Sequence, residues 1–380
     1  MADQRAIFED VSTAQRPAAT PGALSRDRDR GRLATRIYLI VLFALVVVMI
    51  AVGGATRLTD SGLSITEWAP ISGAIPPTRE AEWMAAFAEY RLTDEYRLQN
   101  QGMTMAEFQY IFWWEWAHRQ LGRVIGLVWA VGLGVLLVTR RVPKGWTPRL
   151  LLLGGLGGLQ AVIGWWMVSS GLLPGRLDVA SYRLAIHLGL AFLILALIAG
   201  FILRLSRAEG ALIQARRMGD RKLRGMATGV LHLSFIQILV GALVAGIDAG
   251  RDYTDWPLMG GQFIPSTIWD FTPFWTNFFE NSATVQFAHR MLGYVLVLFG
   301  LGVWAASRRS PVASTRRAFD WVALALIGQM VLGIVTILNA APLWLGLAHQ
   351  FGAVVVVALV LRARFLAAHP WPQSVRGAAA

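Results

Sequence analysis

Long stretches without a charged side chain dominate this sequence. Four of them contain no Asp, Glu, Lys or Arg and lie at residues 37–56, 150–175, 184–203 and 225–247. A helix needs about 20 apolar residues to cross the roughly 30 Å hydrocarbon core of a bilayer. Because lipid offers the backbone no hydrogen-bond partners, a single crossing segment of this kind must be helical. The four stretches therefore predict four transmembrane helices.

Three further stretches bring the predicted number of spans to eight. Residues 124–139 and 291–307 are shorter, and each reaches full length only if the preceding turn, which contains a histidine, lies at the membrane edge. Residues 321–361 carry no charge, are long enough for two crossings, and have a turn at residues 339–342. The sequence thus predicts an all-α membrane protein, since a charged fraction of only 15% excludes a soluble globule of 380 residues.

The distribution of basic residues predicts the orientation in the membrane. Most of the 35 Lys and Arg residues lie in a head (residues 1–36) that is predicted to be disordered, a linker (205–224), a tail (367–380) and two short loops predicted on the same side. Because short basic loops stay in the cytoplasm, both termini are predicted to be cytoplasmic, with the protein in a bacterial inner membrane. Membrane orientation therefore accounts for the net charge of +12, and nucleic-acid binding is not expected.

The two halves of the sequence resemble each other. Residues 115–122 (EWAHRQLG) match residues 286–293 (QFAHRMLG), and similar matches connect the other spans in pairs. Each repeat has four spans, so the two four-helix bundles, residues 37–204 and 225–366, are expected to point the same way about a pseudo-twofold axis along the membrane normal. Gly164 in span three has a counterpart in span seven and is interpreted as a position of close helix packing.

The first outer loop, residues 58–114, is longer than its counterpart in the second repeat. Its aromatic residues include Trp83, Phe87, Phe108, Tyr110, Trp113 and Trp114. Such rings suit either an aromatic belt at the membrane surface or a lid over an outer pocket, and the belt is the preferred interpretation.

Four of the six histidines occupy equivalent places in the two repeats. They lie near the outer ends of the even-numbered spans and are His118, His187, His289 and His349. An ionisable side chain in a membrane costs roughly 2.5–3.5 kcal/mol at the centre and less near the edge, so a repeated set is expected to serve a purpose. Two imidazoles on different helices can bind one iron from opposite faces, as in haem-binding helical bundles. The quartet therefore predicts two haem sites, one in each repeat.

The histidine pairs by themselves leave several roles open. Zinc is disfavoured because a structural site needs four ligands, often thiolates, and the chain has no cysteine. A dihaem cytochrome b that carries electrons from quinol would use the same histidine pairs without altering its porphyrin. A haem carrier is a third possibility, since internal repeats are also common among transporters.

Glu115 distinguishes the first repeat from the second. It precedes His118 by three residues and so shares a helical face with it, whereas the second repeat has Gln286 at this position. A buried carboxylate beside a porphyrin could take a proton or stabilise positive charge, and an amide cannot take the proton. The N-terminal half is therefore predicted to perform chemistry and the C-terminal half to supply electrons. The arginines that follow the histidines are expected either to contact haem propionates or to reach the lipid headgroups; they are Arg119, Arg123 and Arg290.

The motifs around these residues resemble those of the haem A synthase family. The most specific are MTMAEFQYIFWWEWAHRQLGRVIG at residues 103–126 and FAHRMLG at residues 287–293. The resemblance extends over residues 36–364 and is closest to proteobacterial and mitochondrial members. These membrane enzymes oxidise a porphyrin methyl group of haem O to the formyl group of haem A, which is used by cytochrome oxidase.

The resemblance implies a role for each of five residues. His118 and His187 would receive the substrate haem O, and Glu115 would be an essential acid beside it. His289 and His349 would be the axial ligands of a permanent haem b. Implied partners are haem O synthase, cytochrome oxidase assembly factors and an electron donor.

Overall fold

The computed structural model describes the backbone of residues 23–371 and the side chains of residues 29–371. Most of the predicted head and most of the predicted tail, residues 1–22 and 372–380, lie outside the described residues. Within the described part, the chain forms α-helices and no β-strand. The helices are α1 (Ala23–Leu58), α2 (Glu80–Tyr90), α3 (Asp94–Leu98), α4 (Met105–Val138), α5 (Thr147–Gly171), α6 (Ser181–Arg204), α7 (Glu209–Arg217), α8 (Arg221–Gly246), α9 (Asn277–Glu280), α10 (Ser282–Ser307), α11 (Ala313–Leu338) and α12 (Leu343–Ala368).

Eight of these helices are long and apolar enough to cross a membrane, which confirms the predicted number. They are α1, α4, α5, α6, α8, α10, α11 and α12. The predicted turn in the longest apolar stretch is also present, because α11 ends at Leu338 and α12 begins at Leu343. Between them, Ala340 and Ala341 adopt positive φ angles of 56° and 49°, which end one helix and reverse the chain.

Several predicted boundaries differ from the observed ones because helices continue beyond the apolar segments. Helix α1 begins at Ala23, so the last part of the predicted head is helical. Helix α4 begins at Met105, before His118, which the sequence placed at the outer start of this span, because Thr104 and Glu107 form a capping box there. The predicted linker contains α7, and α12 continues to Ala368. Several helices therefore carry charged residues beyond their apolar segments.

The helix ends reproduce the repeat found in the sequence. Helices α1 and α8 end at the aligned residues Leu58 and Gly246. Two residues later, Asp60 and Asp248 both adopt a left-handed conformation, with φ angles of 49° and 51°. Asp tolerates this conformation better than most residues, so the shared Asp marks the same turn in both halves. The pseudo-twofold axis itself stays a prediction.

Each half has its own apolar core. In the first half α1 packs on α4 and α6, around residues such as Leu39 and Leu195. In the second half α8 packs on α10 and α12, around residues such as Phe319 and Val360. The halves meet where α6 contacts α8 and where α12 contacts α1. The histidine-bearing helices α6 and α12 therefore lie at the interface between the halves.

Arg57 connects the halves at the outer end of α1. Its guanidinium lies 2.7 Å from a carboxylate oxygen of Asp60, 2.8 Å from one of Asp248 and 3.4 Å from one of Asp178. The three carboxylates come within 4.8 Å of one another, which would repel strongly without a cation. Arg57 supplies that cation, so the three acidic groups serve as ion-pair partners. The pairs hold the first helix of each half together.

The long outer loop of the first half has a small core of its own. Tyr90 on α2 stacks on Phe108 of α4 with ring centroids 5.4 Å apart, and Trp83 packs edge-on against Phe112 at 4.9 Å. Tyr90 and Phe108 are fully buried. These rings therefore stabilise a folded outer subdomain, residues 58–112. Tyr110 and Trp113 are exposed, so for them the aromatic belt stays a prediction.

Candidate functional site

The structure brings each predicted pair of histidines together. His118 on α4 faces His187 on α6 with ring centroids 6.5 Å apart, and His289 on α10 faces His349 on α12 at 6.3 Å. The ring planes are inclined at 65° and 73°. All four residues lie within membrane spans, toward the ends that lead to the outer loops. Both halves therefore offer the same ligand pair at the same separation.

The separation fits one metal ion held between two imidazoles. A first-row metal binds an imidazole nitrogen at about 2 Å, and that nitrogen lies roughly 1 Å from the centre of its ring. Two imidazoles on opposite sides of one ion therefore have centres about 6 Å apart. A pair of histidines leaves four further positions on an iron, which a porphyrin supplies through its nitrogens. The donor set thus fits haem.

Each histidine ring lies against a glycine of a neighbouring helix. A Cβ added to that glycine would approach a ring atom closely, at 3.0 Å for Gly53 and His118, 2.8 Å for Gly164 and His187, and 2.9 Å both for Gly241 and His289 and for Gly333 and His349. Real Cβ atoms almost never come within 3.0 Å of such an atom, and the 3.0 Å approach at Gly53 is tighter than nine in ten real contacts. The glycines therefore form cradles for the rings, which refines the interpretation of Gly164 as a packing position.

Three of the four histidines are also held by a glutamine. In each case the amide nitrogen donates to the histidine's own carbonyl oxygen and lies within hydrogen-bond distance of Nδ1. The pairs, with these two distances, are Gln160–His187 (2.9 and 3.2 Å), Gln237–His289 (3.0 and 3.1 Å) and Gln329–His349 (2.8 and 3.3 Å). The bond to the carbonyl oxygen holds each amide beside the ring, so a polar group packs against the edge of each of these three imidazoles.

The glutamines and glycines share a spacing that sequence reasoning did not use. Each glutamine precedes its glycine by four residues, as in Gln160 and Gly164, which places both side-chain positions on one helical face. The repeat aligns this pair with Gln329 and Gly333, but the alignment alone gave the glutamines no role. The same spacing occurs at Gln237, so a search for Gln-x-x-x-Gly opposite each histidine would have found all three.

Glu115 lies in a buried network at the start of the outer subdomain. Only 3% of the residue is exposed. Its carboxylate accepts hydrogen bonds from Ser64 Oγ at 2.8 Å and from the backbone N–H of Ile65 at 2.7 Å, and it pairs with Arg119 at 2.6 Å. Three donors, one of them cationic, suit an ionised carboxylate. Glu115 is thus a fixed negative charge one helical turn from His118.

Gln286 occupies the same place in the second half, where its hydrogen bonds to the loop are reversed and its bond to the following arginine is kept. Its amide nitrogen donates to the carbonyl oxygens of Ala249 at 2.6 Å and Tyr253 at 3.2 Å, while its oxygen accepts from Arg290 at 2.9 Å. The surroundings of the two side chains therefore differ as well as the side chains themselves. The outer loop offers donors to the carboxylate in the first half and acceptors to the amide in the second.

The arginines that follow the histidines hold the outer loops. Arg119 donates to the carbonyl oxygens of Glu67 and Ile65 at 2.7 and 2.8 Å. Arg290 donates to those of Leu258 and Tyr253 at 2.8 and 3.0 Å. Arg123 likewise donates to Pro70 and Ala69. These bonds hold the backbone of each loop over its histidine-bearing helix, and the two expected roles of the arginines stay predictions.

A second buried acid, Glu95 on α3, belongs to the outer subdomain. It is 3% exposed, and its Oε2 has no hydrogen-bond partner among the described residues. Burial raises the pKa of Glu95 to about 8, and the negative charges of Glu115, Asp178 and Asp60 act in the same direction. Sequence reasoning did not single out this residue, since a Glu in a polar loop is usually solvated.

Comparisons with known proteins agree with this arrangement. Residues 36–361 match the family model described as cytochrome oxidase assembly protein. The chain belongs to this family. A protein named heme A synthase from Jannaschia sp. (strain CCS1) is 63% identical over 379 residues, with both chains fully covered. Proteins of the same name from Dinoroseobacter shibae and Paracoccus denitrificans are 62% and 56% identical, the latter over 98% of this chain and 99% of its own length.

Membership of the cytochrome oxidase assembly family confirms the resemblance drawn from the histidine motifs. The family match begins at residue 36 and covers both repeats, so both histidine pairs lie within it. The relatives quoted above are all from bacteria.

Proposed function

We propose that this chain is a haem A synthase, which oxidises one methyl group of haem O to the formyl group of haem A. The name of its relatives supports this proposal. The observation that carries it furthest is the presence of two equal histidine pairs with unequal neighbours: Glu115 beside the first pair and Gln286 beside the second. Two haem sites of which only one has a carboxylate suit an enzyme that modifies one porphyrin and keeps the other.

The two histidine pairs have different roles in this proposal. His118 and His187 bind the substrate haem O, and His289 and His349 hold a resident haem b. Haem b supplies one-electron transfer when it is bound. The matching separations of the rings support both assignments, because each pair accommodates an iron between its imidazoles. The glutamines on both ligands of the second pair support its role as the permanent site.

Glu115 acts through its charge. The methyl carbon is oxidised in two successive two-electron steps, first to an alcohol and then to a hydrated aldehyde, which loses water to give the formyl group. In each step an oxidant of the dioxygen class places one oxygen atom on the carbon, and its other oxygen atom leaves as water after taking two electrons from the electron donor and two protons. Positive charge that develops on the substrate near this carbon is stabilised by an anion fixed in a buried site. The three donors around Glu115 favour this role over proton uptake, because they are best satisfied by the ionised carboxylate.

The protein performs this reaction near the outer surface of a bacterial inner membrane, with both termini in the cytoplasm. The basic inner loops support this orientation. The substrate comes from haem O synthase, the product goes to assembling cytochrome oxidase, and an electron donor completes the cycle.

Porphyrin analysis of the purified protein tests the proposal. Haem extracted from detergent-solubilised protein should contain haem b together with haem O or its oxidised forms, which differ in mass. Variants of His118 should lose haem O and its oxidised forms and should keep haem b. Haem b alone in both sites would contradict the proposal and would identify a dihaem electron carrier instead.

A further inference from the structure

One of the four histidines lacks the glutamine that holds the others. At the position aligned with Gln237, four residues before Gly53, the chain has Met49. Its side chain occupies the equivalent space: Met49 Cε is the atom nearest to the Cβ position of Gly122, at 3.6 Å, and Gln237 Nε2 is the atom nearest to that of Gly293, at 3.3 Å.

This difference leaves the ring of His118 without a polar support. A thioether donates no hydrogen bond, so Met49 cannot bond the carbonyl oxygen of His118 as the glutamines bond those of the other three histidines. No described side chain forms a hydrogen bond with the His118 ring. The ring also turns a different edge to its glycine: Nε2 and Cδ2 lie nearest to Gly53, whereas Cε1 and Nδ1 lie nearest to the glycines opposite the other three histidines. Among the four histidines, His118 is therefore the ligand whose orientation is set by packing alone.

We infer that Met49 makes His118 the exchangeable ligand of the substrate site. This inference depends on the proposed function, in which the first pair takes haem O and must release haem A. Loss of a polar contact to a metal-binding histidine weakens metal binding by about 10- to 100-fold. The substrate site has one supported histidine, His187, and one unsupported histidine, His118. Haem O enters and haem A leaves when the bond between the haem iron and His118 breaks. In the resident site both histidines stay bound.

The rate of haem release tests this inference without measuring activity. Purified protein in detergent is mixed with an excess of apomyoglobin, which captures released haem, and the porphyrins that remain bound are identified by mass at each time. Haem O and its oxidised forms should leave faster than haem b in the wild type. Met49→Gln should slow their release by about 10-fold or more, because the new amide lies where Gln237 lies. Met49→Leu, which adds no donor, should release them at the wild-type rate.

The reverse substitution in the other half gives an independent outcome. Gln237→Met should speed the release of haem b by about 10-fold or more and leave haem O release unchanged. Unchanged release in Met49→Gln, or in Gln237→Met should the first variant not fold, would overturn the inference. Failure of the proposed function has a different signature, because His118→Ala would then remove haem b, and Met49→Gln would slow the release of haem b.

Discussion

The two histidine pockets are alike in what binds a metal and different in what surrounds it. Their ring separations differ by little, at 6.5 and 6.3 Å, and all four rings lie against glycines. They differ at Glu115 against Gln286 and at Met49 against Gln237. The two repeats therefore share their ligands and differ in the residues around them, as the proposed division of roles between the halves requires.

Removal of a ligand should have the largest effect and should separate the two pockets. His349→Ala should lose nearly all haem b. His289 would then be the only imidazole in the pocket, and Gln329 cannot replace the missing ligand. His187→Ala should retain haem b and lose the bound haem O. Haem b is measured from the absorption spectrum and haem O from extracted porphyrins. Retention of haem b in His349→Ala together with its loss in His187→Ala would show that the roles of the pockets are reversed.

Replacement of the carboxylate should affect activity and spare haem binding. Glu115→Gln should reduce haem A formation by about 100-fold or more, because a fixed charge beside the substrate is lost. The bound haem b should be unchanged. Conversion of haem O to haem A in membranes, followed by mass, measures the effect.

Ser64→Ala is the matched control for this variant, since it removes one donor to Glu115 and keeps the charge. It should reduce activity by less than about 10-fold, in line with one hydrogen bond. Equal losses in Glu115→Gln and Ser64→Ala would mean that the carboxylate only anchors the outer loop.

The glycine cradles should respond alike in both halves, because their geometry is shared. Gly164→Ala and Gly333→Ala each place a methyl group within 3 Å of a ligand ring and should lower occupancy of their own pocket by about 10-fold, in the range seen for altered support of metal ligands. Gly155→Ala on α5 and Gly328→Ala on α11 are controls, since their added methyl groups meet open space. Unchanged haem content in the cradle variants would show that the rings can shift freely.

Periodicity and repetition in the sequence were enough to predict the eight spans and the placement of the ligands. An uncharged stretch of about 20 residues crosses a bilayer as a helix, because only a helix satisfies its backbone hydrogen bonds within one segment. The internal repeat aligned each histidine with its counterpart. The family was also predicted, from the motifs around His118 and His289. These features are local or involve residues at fixed offsets, so no three-dimensional information was needed.

The surroundings of the ligands could not be predicted in the same way. Glu115 was placed on the face of His118, but its bonds to Ser64 and Ile65 depend on the path of a loop that has no periodic signal. The folded core around Tyr90 and Phe108 likewise depends on contacts between α2 and α4. Such a core cannot be recognised in the sequence of a polar loop, because aromatic residues near a membrane are equally well suited to the membrane surface.

The smallest expected effect concerns Glu95, which the second half lacks. Its pKa is raised to about 8 in the folded subdomain, against an ordinary value of 4.5. The folded state therefore binds the proton more tightly than the unfolded state, so the outer subdomain should lose stability as pH rises from about 4.5 through 8. Hydrogen exchange of peptides covering residues 80–112, corrected for intrinsic rates, should become faster over this range. Glu95→Gln, which cannot ionise, should show no such change. If the pH dependence persists in Glu95→Gln, another group causes it. The buried carboxyl of Glu95 would then make no contribution to the stability of the outer subdomain, which the second half lacks.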